Sequence, residues 1–211
     1  DEKKYLLDIG YKTWLYFKEN LTERDHFLPP DNYQEDRKPK LVMRTSSTNI
    51  GLALLAVTAS YDLKYENFND TIDLLYKMIN TINDLPKWNG HLYNWYNIKT
   101  KEPLNPRYVS TVDSGNLVGY LYVTKVFLEE ISCQEGRPFL AKNSQLSNKT
   151  EKDISNDKKT MDRIIENCQK GASLLATLIE NTDFSLLYNK EQQIFSIGFN
   201  IEDNKLTDSY Y

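Results

Sequence analysis

The segment from Ile50 to Ala59, Ile-Gly-Leu-Ala-Leu-Leu-Ala-Val-Thr-Ala, is apolar on almost every side of a helical wheel. It is preceded by Ser46-Ser47-Thr48-Asn49, a run of short polar side chains any of which can cap a helix N-terminus. A helix that is apolar all round has to be enclosed by other elements, so this one is predicted to form the centre of the domain and to run to about Asp62.

Four further segments carry a helical period. Tyr5 to Asn20 places Leu6, Ile9, Leu15 and Phe17 on one side, widened by Tyr11 and Trp14, which reads as a helix buried on much of its circumference. A third helix begins after Asn69 or Asp70, carries Ile72, Leu75, Tyr76, Ile79 and Ile82, and stops at Pro86. A fourth starts near Asp113 and carries Leu117, Leu121, Val126, Leu128 and Ile131. The fifth has a stripe of Met161, Ile164, Ile165, Cys168, Ala172, Leu175 and Leu178. Alternately short and long connections between these helices suit helical hairpins arrayed side by side, an all-α fold.

The tail changes period. Ile194, Ser196, Gly198 and Asn200 alternate with Phe195, Ile197, Phe199 and Ile201 ahead of a turn at Glu202-Asp203-Asn204-Lys205, which predicts a short hairpin. Asp208-Ser209-Tyr210-Tyr211 reads as the start of another helix, capped by Asp208 or Ser209, and residues 141–159 read as a flexible polar insertion.

Hydrophobic residues at 40% and charged residues at 27% describe a soluble globular chain. A net charge of −4 without clustered Lys and Arg argues against nucleic acid. No apolar run approaches the roughly 20 residues that cross a bilayer, so no direct membrane insertion is expected. Two His and two Cys, without a cluster of either, make a metal site improbable, and no cofactor is expected. Cys133 and Cys168 read as free thiols.

Two loops carry the chemistry. Residues 22–45 hold Pro29, Pro30 and Pro39 among Asp31, Asn32, Gln34 and Glu35. The stretch from Gly90 to Asn116 packs Tyr93, Trp95, Tyr96 and Tyr108 with Arg107 and short polar side chains. Pyranose rings offer apolar C–H faces to aromatics and hydroxyls to paired donors and acceptors, so this composition suits a sugar surface. Trp95 and Tyr96 are candidates for a stacking platform, or else a hydrophobic plug under the loop. Asp113 is expected either to contact ligand or to cap the fourth helix. Arg107 is expected to brace Asp113 or to hold a hydroxyl. Asn94, Ser114, Asn116, Asp31 and Glu35 complete the substrate-binding candidates. Arg44 is expected to organise its loop, and His91 to be a hydrogen-bonding loop residue rather than a base. Both loops follow odd-numbered helices, so they should gather at one rim.

Five ordered segments, Leu28-Pro-Pro-Asp-Asn-Tyr-Gln-Glu-Asp, Arg44-Thr-Ser-Ser-Thr-Asn-Ile-Gly-Leu, Gly90-His-Leu-Tyr-Asn-Trp-Tyr, Pro106-Arg-Tyr-Val-Ser-Thr-Val-Asp-Ser-Gly-Asn-Leu and Phe195-Ser-Ile-Gly-Phe-Asn, together with Asp208-Ser-Tyr-Tyr, resemble the glucoamylase-like region of cyclic β-1,2-glucan synthases. The likeness runs from residue 5 to 211 apart from the polar insertion. It implies the N-terminal half of an (α/α)6 toroid acting on β-1,2-glucan by retaining transglycosylation, within a long membrane-associated parent chain and on its cytoplasmic side. Retaining cleavage needs two carboxyl groups about 5 to 5.5 Å apart. The family motifs that would carry them, of the Trp-Gly-Ile-Ser-Glu or Tyr-Gly-Phe-Tyr-Glu kind, do not occur here. The resemblance therefore implies no catalytic residue in this chain, a groove completed by the remainder of the parent polypeptide, and little activity alone. The competing expectations are a non-catalytic carbohydrate-binding module and a helical interaction scaffold.

Overall fold

The computed structural model describes residues 2–133 and 151–210. Its helices are α1 (Glu2–Asn20), α2 (Ser47–Asp62), α3 (Phe68–Asp84), α4 (Thr111–Ser132) and α5 (Glu151–Glu180), joined by short strands. The first ten residues of the expected insertion, 141–150, lie outside the described residues, and from Glu151 the backbone is helical.

Three helix starts follow from side-chain caps. Ser46 accepts from the Asn49 amide at 3.1 Å, Asn67 from that of Asp70 at 3.0 Å, and Ser110 from that of Asp113 at 3.3 Å. Helix α4 thus begins earlier than expected, and its cap is Ser110. Asp113 sits three residues inside, where its charge favours the positive end of the helix.

Helix α2 packs against α1, α3 and α4, while α5 lies across α3 and α4. Ile50, Ala53, Leu54 and Val57 of α2 are fully buried. The α2–α4 approach is close because Gly51 has no side chain: a Cβ there would lie 2.1 Å from the Tyr120 ring. The enclosure of α2 is not complete among the described residues, since Leu52 remains 43% exposed. Helix α1 departs further from expectation, because Trp14 is its one buried residue and Tyr5, Leu6 and Ile9 face solvent. No helix of the described residues is long and apolar enough to cross a membrane.

The strands stitch the loops together. β1 (Arg44–Thr45) pairs antiparallel with β4 (Tyr96–Asn97). β2 (Lys87–Trp88) and β3 (His91–Leu92) form a hairpin through Asn89-Gly90, both at positive φ, as the two-residue turn requires. β5 (Tyr108–Ser110), β8 (Gly198–Asn200) and β9 (Lys205–Leu206) make one three-stranded sheet, and β6 (Tyr188–Asn189) pairs with β7 (Ile194–Phe195). The expected C-terminal hairpin is therefore present as β8–β9, with an extra partner in β5. The expected helix at Asp208 is not: Tyr210 bridges Ser196, and the Ser209 carbonyl accepts from the Ile197 amide at 2.9 Å, so this stretch is extended.

Candidate functional site

Loops 22–45 and 86–110 meet at the N-terminus of α2, and Arg44 is the centre of the meeting. Its guanidinium donates from Nε at 3.2 Å and from Nη2 at 3.1 Å to Asp31 Oδ2. The same group lies 4.0 Å from the centroid of the Trp95 ring. The other Asp31 oxygen accepts from Asn49 Nδ2 at 3.2 Å, and Asn32 Nδ2 donates to Asp31 Oδ2 at 3.0 Å. Thr48, the neighbour of Asn49, donates its hydroxyl to Asp113 Oδ1. Two adjacent residues in the first turn of α2 therefore hold two carboxylates that lie 82 positions apart in the chain (113 − 31). Next to these residues in sequence, Asn32 Oδ1, Thr45 Oγ1 and Ser114 Oγ are buried without a protein partner.

A second tie sets the spacing of the two loops. The buried Asp25 accepts from Lys99 Nζ, from Arg24 at 2.9 Å and from Thr22 at 3.2 Å. Burial works to raise the Asp25 pKa, and these donors outweigh it, so the carboxyl is held below its ordinary value.

The structure redistributes the sequence candidates. Asp31 and Trp95 meet on Arg44, and Asp113 is tied to the same helix start through Thr48. Tyr96 does not join them: it is fully buried, its hydroxyl donating to the Pro86 carbonyl at 2.7 Å and accepting from the Tyr93 amide at 2.8 Å. Strand alternation turns Tyr96 inward, and its ring lies in the core beneath the loop. Ser114 is also buried, on the core side of α4. Asn94 is half-buried and donates its amide to the Tyr108 carbonyl at 2.7 Å. Glu35 and Asn116 are exposed, and their side chains make no hydrogen bond or ion pair among the described residues. Arg107 does not brace Asp113. It pairs with Glu202 through Nε at 2.8 Å and Nη2 at 3.2 Å, because the β5–β8 register brings the turn after β8 beside it.

Beside that pair opens a cleft of about 690 Å³ whose walls include Tyr93, Glu102, Asn105, Pro106, Arg107 and Glu202. His91 is buried against Phe184, with Nε2 2.9 Å from the Asp183 carbonyl, the hydrogen-bonding role expected of it. The contributions of Thr48, Asn49 and Glu202 had no local sequence signal, since each acts on a residue at least 18 positions away. Among the described residues no group of three or more His, Cys, Asp and Glu is placed to hold a metal ion.

No protein-family model matches the chain. Over 122 residues it is 47% identical to the cyclic β-(1,2)-glucan synthase NdvB of Rhizobium meliloti (strain 1021), a stretch that is 58% of this chain and 4% of that protein. The chain resembles a cyclic β-1,2-glucan synthase. Among solved structures it superposes on the endo-β-1,2-glucanase of Chitinophaga pinensis, described as a sophorotriose and glucose complex, with a TM-score of 0.69 at 12% identity, over 98% of this chain and 43% of that one. The β-1,2-glucanase of Parabacteroides distasonis gives 0.68 at 9% identity, over 98% and 25%. A glucoamylase-like protein of Bacteroides fragilis NCTC 9343 gives 0.66 at 16%, over 94% and 41%. The chain thus shares the fold of these enzymes while spanning less than half the length of each, and a small fraction of the synthase.

Proposed function

We propose that this chain forms one wall of a β-1,2-glucan-binding groove in a glucoamylase-like toroid, serving glycoside cleavage and transfer by the retaining route. The observation that carries the reading is the Arg44 centre, which fixes the Trp95 ring beside Asp31 and, through the first turn of α2, Asp113. One face of the indole is taken by the guanidinium. A glucose ring stacks on the other, and the free lone pairs of the two carboxylates accept its hydroxyls. Likeness to the synthase and to two β-1,2-glucanases supports the choice of glucan.

In this reading Asp31 and Asp113 orient substrate and perform no proton transfer. Each is already committed to a neighbouring donor, and the general acid and nucleophile come from polypeptide outside these 211 residues, to which the solved relatives devote more than half their length. The test is calorimetric titration of the protein with a linear β-1,2-linked glucose pentasaccharide, with the β-1,3-linked pentasaccharide as control. Binding of the first alone, weakened at least tenfold by Trp95→Ala with an unchanged helical circular-dichroism signal, is expected. Absence of β-1,2-glucan binding overturns the reading.

A further inference from the structure

The cleft beside β5 shares no side chain with the Arg44 centre, yet it is built from the same loop. Tyr93 forms part of its wall, and Trp95 is only two residues on, so their Cα atoms are at most about 7 Å apart even in fully extended backbone. A glucan several units long, stacked on Trp95 through one unit, has the reach to enter the cleft with the others.

The wall chemistry narrows what fits. Tyr93 and Pro106 give apolar surface, Glu102 and Glu202 give acceptors, and Asn105 and Arg107 give donors. Arg107 is already neutralised by Glu202, which leaves Glu102 as a carboxylate without an ion-pair partner among the described residues. An anionic ligand would meet a net negative wall, and a purely apolar one would strand these polar groups. A neutral ligand rich in hydroxyls meets both kinds of surface. The cleft volume of about 690 Å³ lies within the ordinary range for small-molecule sites.

The polar wall is also fixed in advance. Asn200 Oδ1 accepts from the amides of Glu202 at 3.0 Å and Asp203 at 3.2 Å, and the Arg107 carbonyl accepts from the Ile201 amide at 3.0 Å. The turn that presents Glu202 is thereby locked to β5, so little ordering cost remains when ligand arrives.

We propose that this cleft is a second saccharide subsite, engaged by sugar units beyond the one on Trp95, so that it makes binding depend on chain length. The proposal rests on the glucan-groove reading above. Glu102→Ala and Glu202→Ala test it, each titrated with the β-1,2-linked disaccharide and pentasaccharide, with circular dichroism to verify the fold. Each variant is expected to weaken the pentasaccharide at least fivefold and to leave the disaccharide within twofold, whereas Trp95→Ala weakens both. An unchanged pentasaccharide affinity in both variants, or equal losses for the two ligands, overturns the second subsite while leaving the Trp95 site standing. Wild-type protein that binds neither ligand overturns both readings.

Discussion

The Arg44 guanidinium stacks 4.0 Å from the Trp95 ring centroid while the same group holds Asp31, so one side chain sets the geometry of an aromatic and a carboxylate from different loops. Lysine is no equivalent, because a single ammonium cannot lie flat on an indole and present two in-plane donors together.

Arg44→Lys and Arg44→Ala should therefore damage binding more than folding. An exposed ion pair contributes about 0–1 kcal/mol and an exposed cation–π contact about 0.5–1 kcal/mol. The loss of stability is expected to stay below about 2 kcal/mol by chemical denaturation, while glucan affinity falls about tenfold or more in Arg44→Ala. Arg44→Lys falls between the two. Wild-type affinity in Arg44→Ala would show that Trp95 needs no such clamp.

Tyr96 gives the opposite pattern. Tyr96→Phe keeps the ring but leaves the buried Tyr93 amide without its partner and removes the donor to the Pro86 carbonyl, which belongs to an exposed residue. Stranding one buried backbone group costs about 1–3 kcal/mol. Thermal denaturation should reveal this as a large drop in midpoint, with glucan affinity of the folded protein within twofold of wild type. A selective loss of affinity at unchanged stability would return Tyr96 to the binding surface.

Which parts of this molecule could be read from its residues follows from the range of the forces involved. Helix α2 and the stripes of α3 and α5 are local patterns, and their apolar periods identify them directly. The Asn89-Gly90 turn between Lys87-Trp88 and His91-Leu92 is equally local, a two-residue hairpin signal. The Arg107 partner was not local. Asp113 is the nearer acid in sequence, but the strand register of β5 on β8 delivers Glu202, which is 95 positions away. Trp95 and Tyr96 illustrate the same limit at one position's distance: composition marks both as sugar-stacking residues, and only the pairing of β4 with β1 decides which faces the core.

Lys99→Met tests the tie between loops 22–45 and 86–110. It removes a charged donor from the buried Asp25 and leaves Arg24 and Thr22 in place. A hydrogen bond to a charged group contributes about 1.5–3 kcal/mol. Exposure of half of the Lys99 side chain moves the expectation to the lower end, about 1–2 kcal/mol. The same variant should weaken glucan binding modestly, because the loop bearing Asp31 is anchored at one end by this contact. A stability change under about 0.5 kcal/mol would mean that Arg24 alone satisfies Asp25.

His91 predicts how stability depends on pH. Burial holds its pKa below the ordinary 6.5, and the Asp183 carbonyl, which accepts from Nε2, offsets that only in part. With Nε2 carrying the proton, Nδ1 is buried without a partner, so the charged form has nowhere to place a second N–H. An unfolded chain takes up this proton as pH falls through about 6.5, whereas the folded chain takes it up only at lower pH. Between those two points the unfolded state binds more protons, and stability falls with decreasing pH by up to about 1.4 kcal/mol per pH unit. The lowered carboxylates, Asp25, Glu166, Asp183 and Glu202, withdraw their stabilisation only as pH falls through about 4 and below, so the two windows separate. Denaturant titrations at pH 7.5 and 5.0 should show the wild type losing stability between them. His91→Phe should start lower, having left the Asp183 carbonyl without its donor, and should lose distinctly less over the same interval. Equal losses in the two proteins would assign the acid sensitivity to groups other than His91.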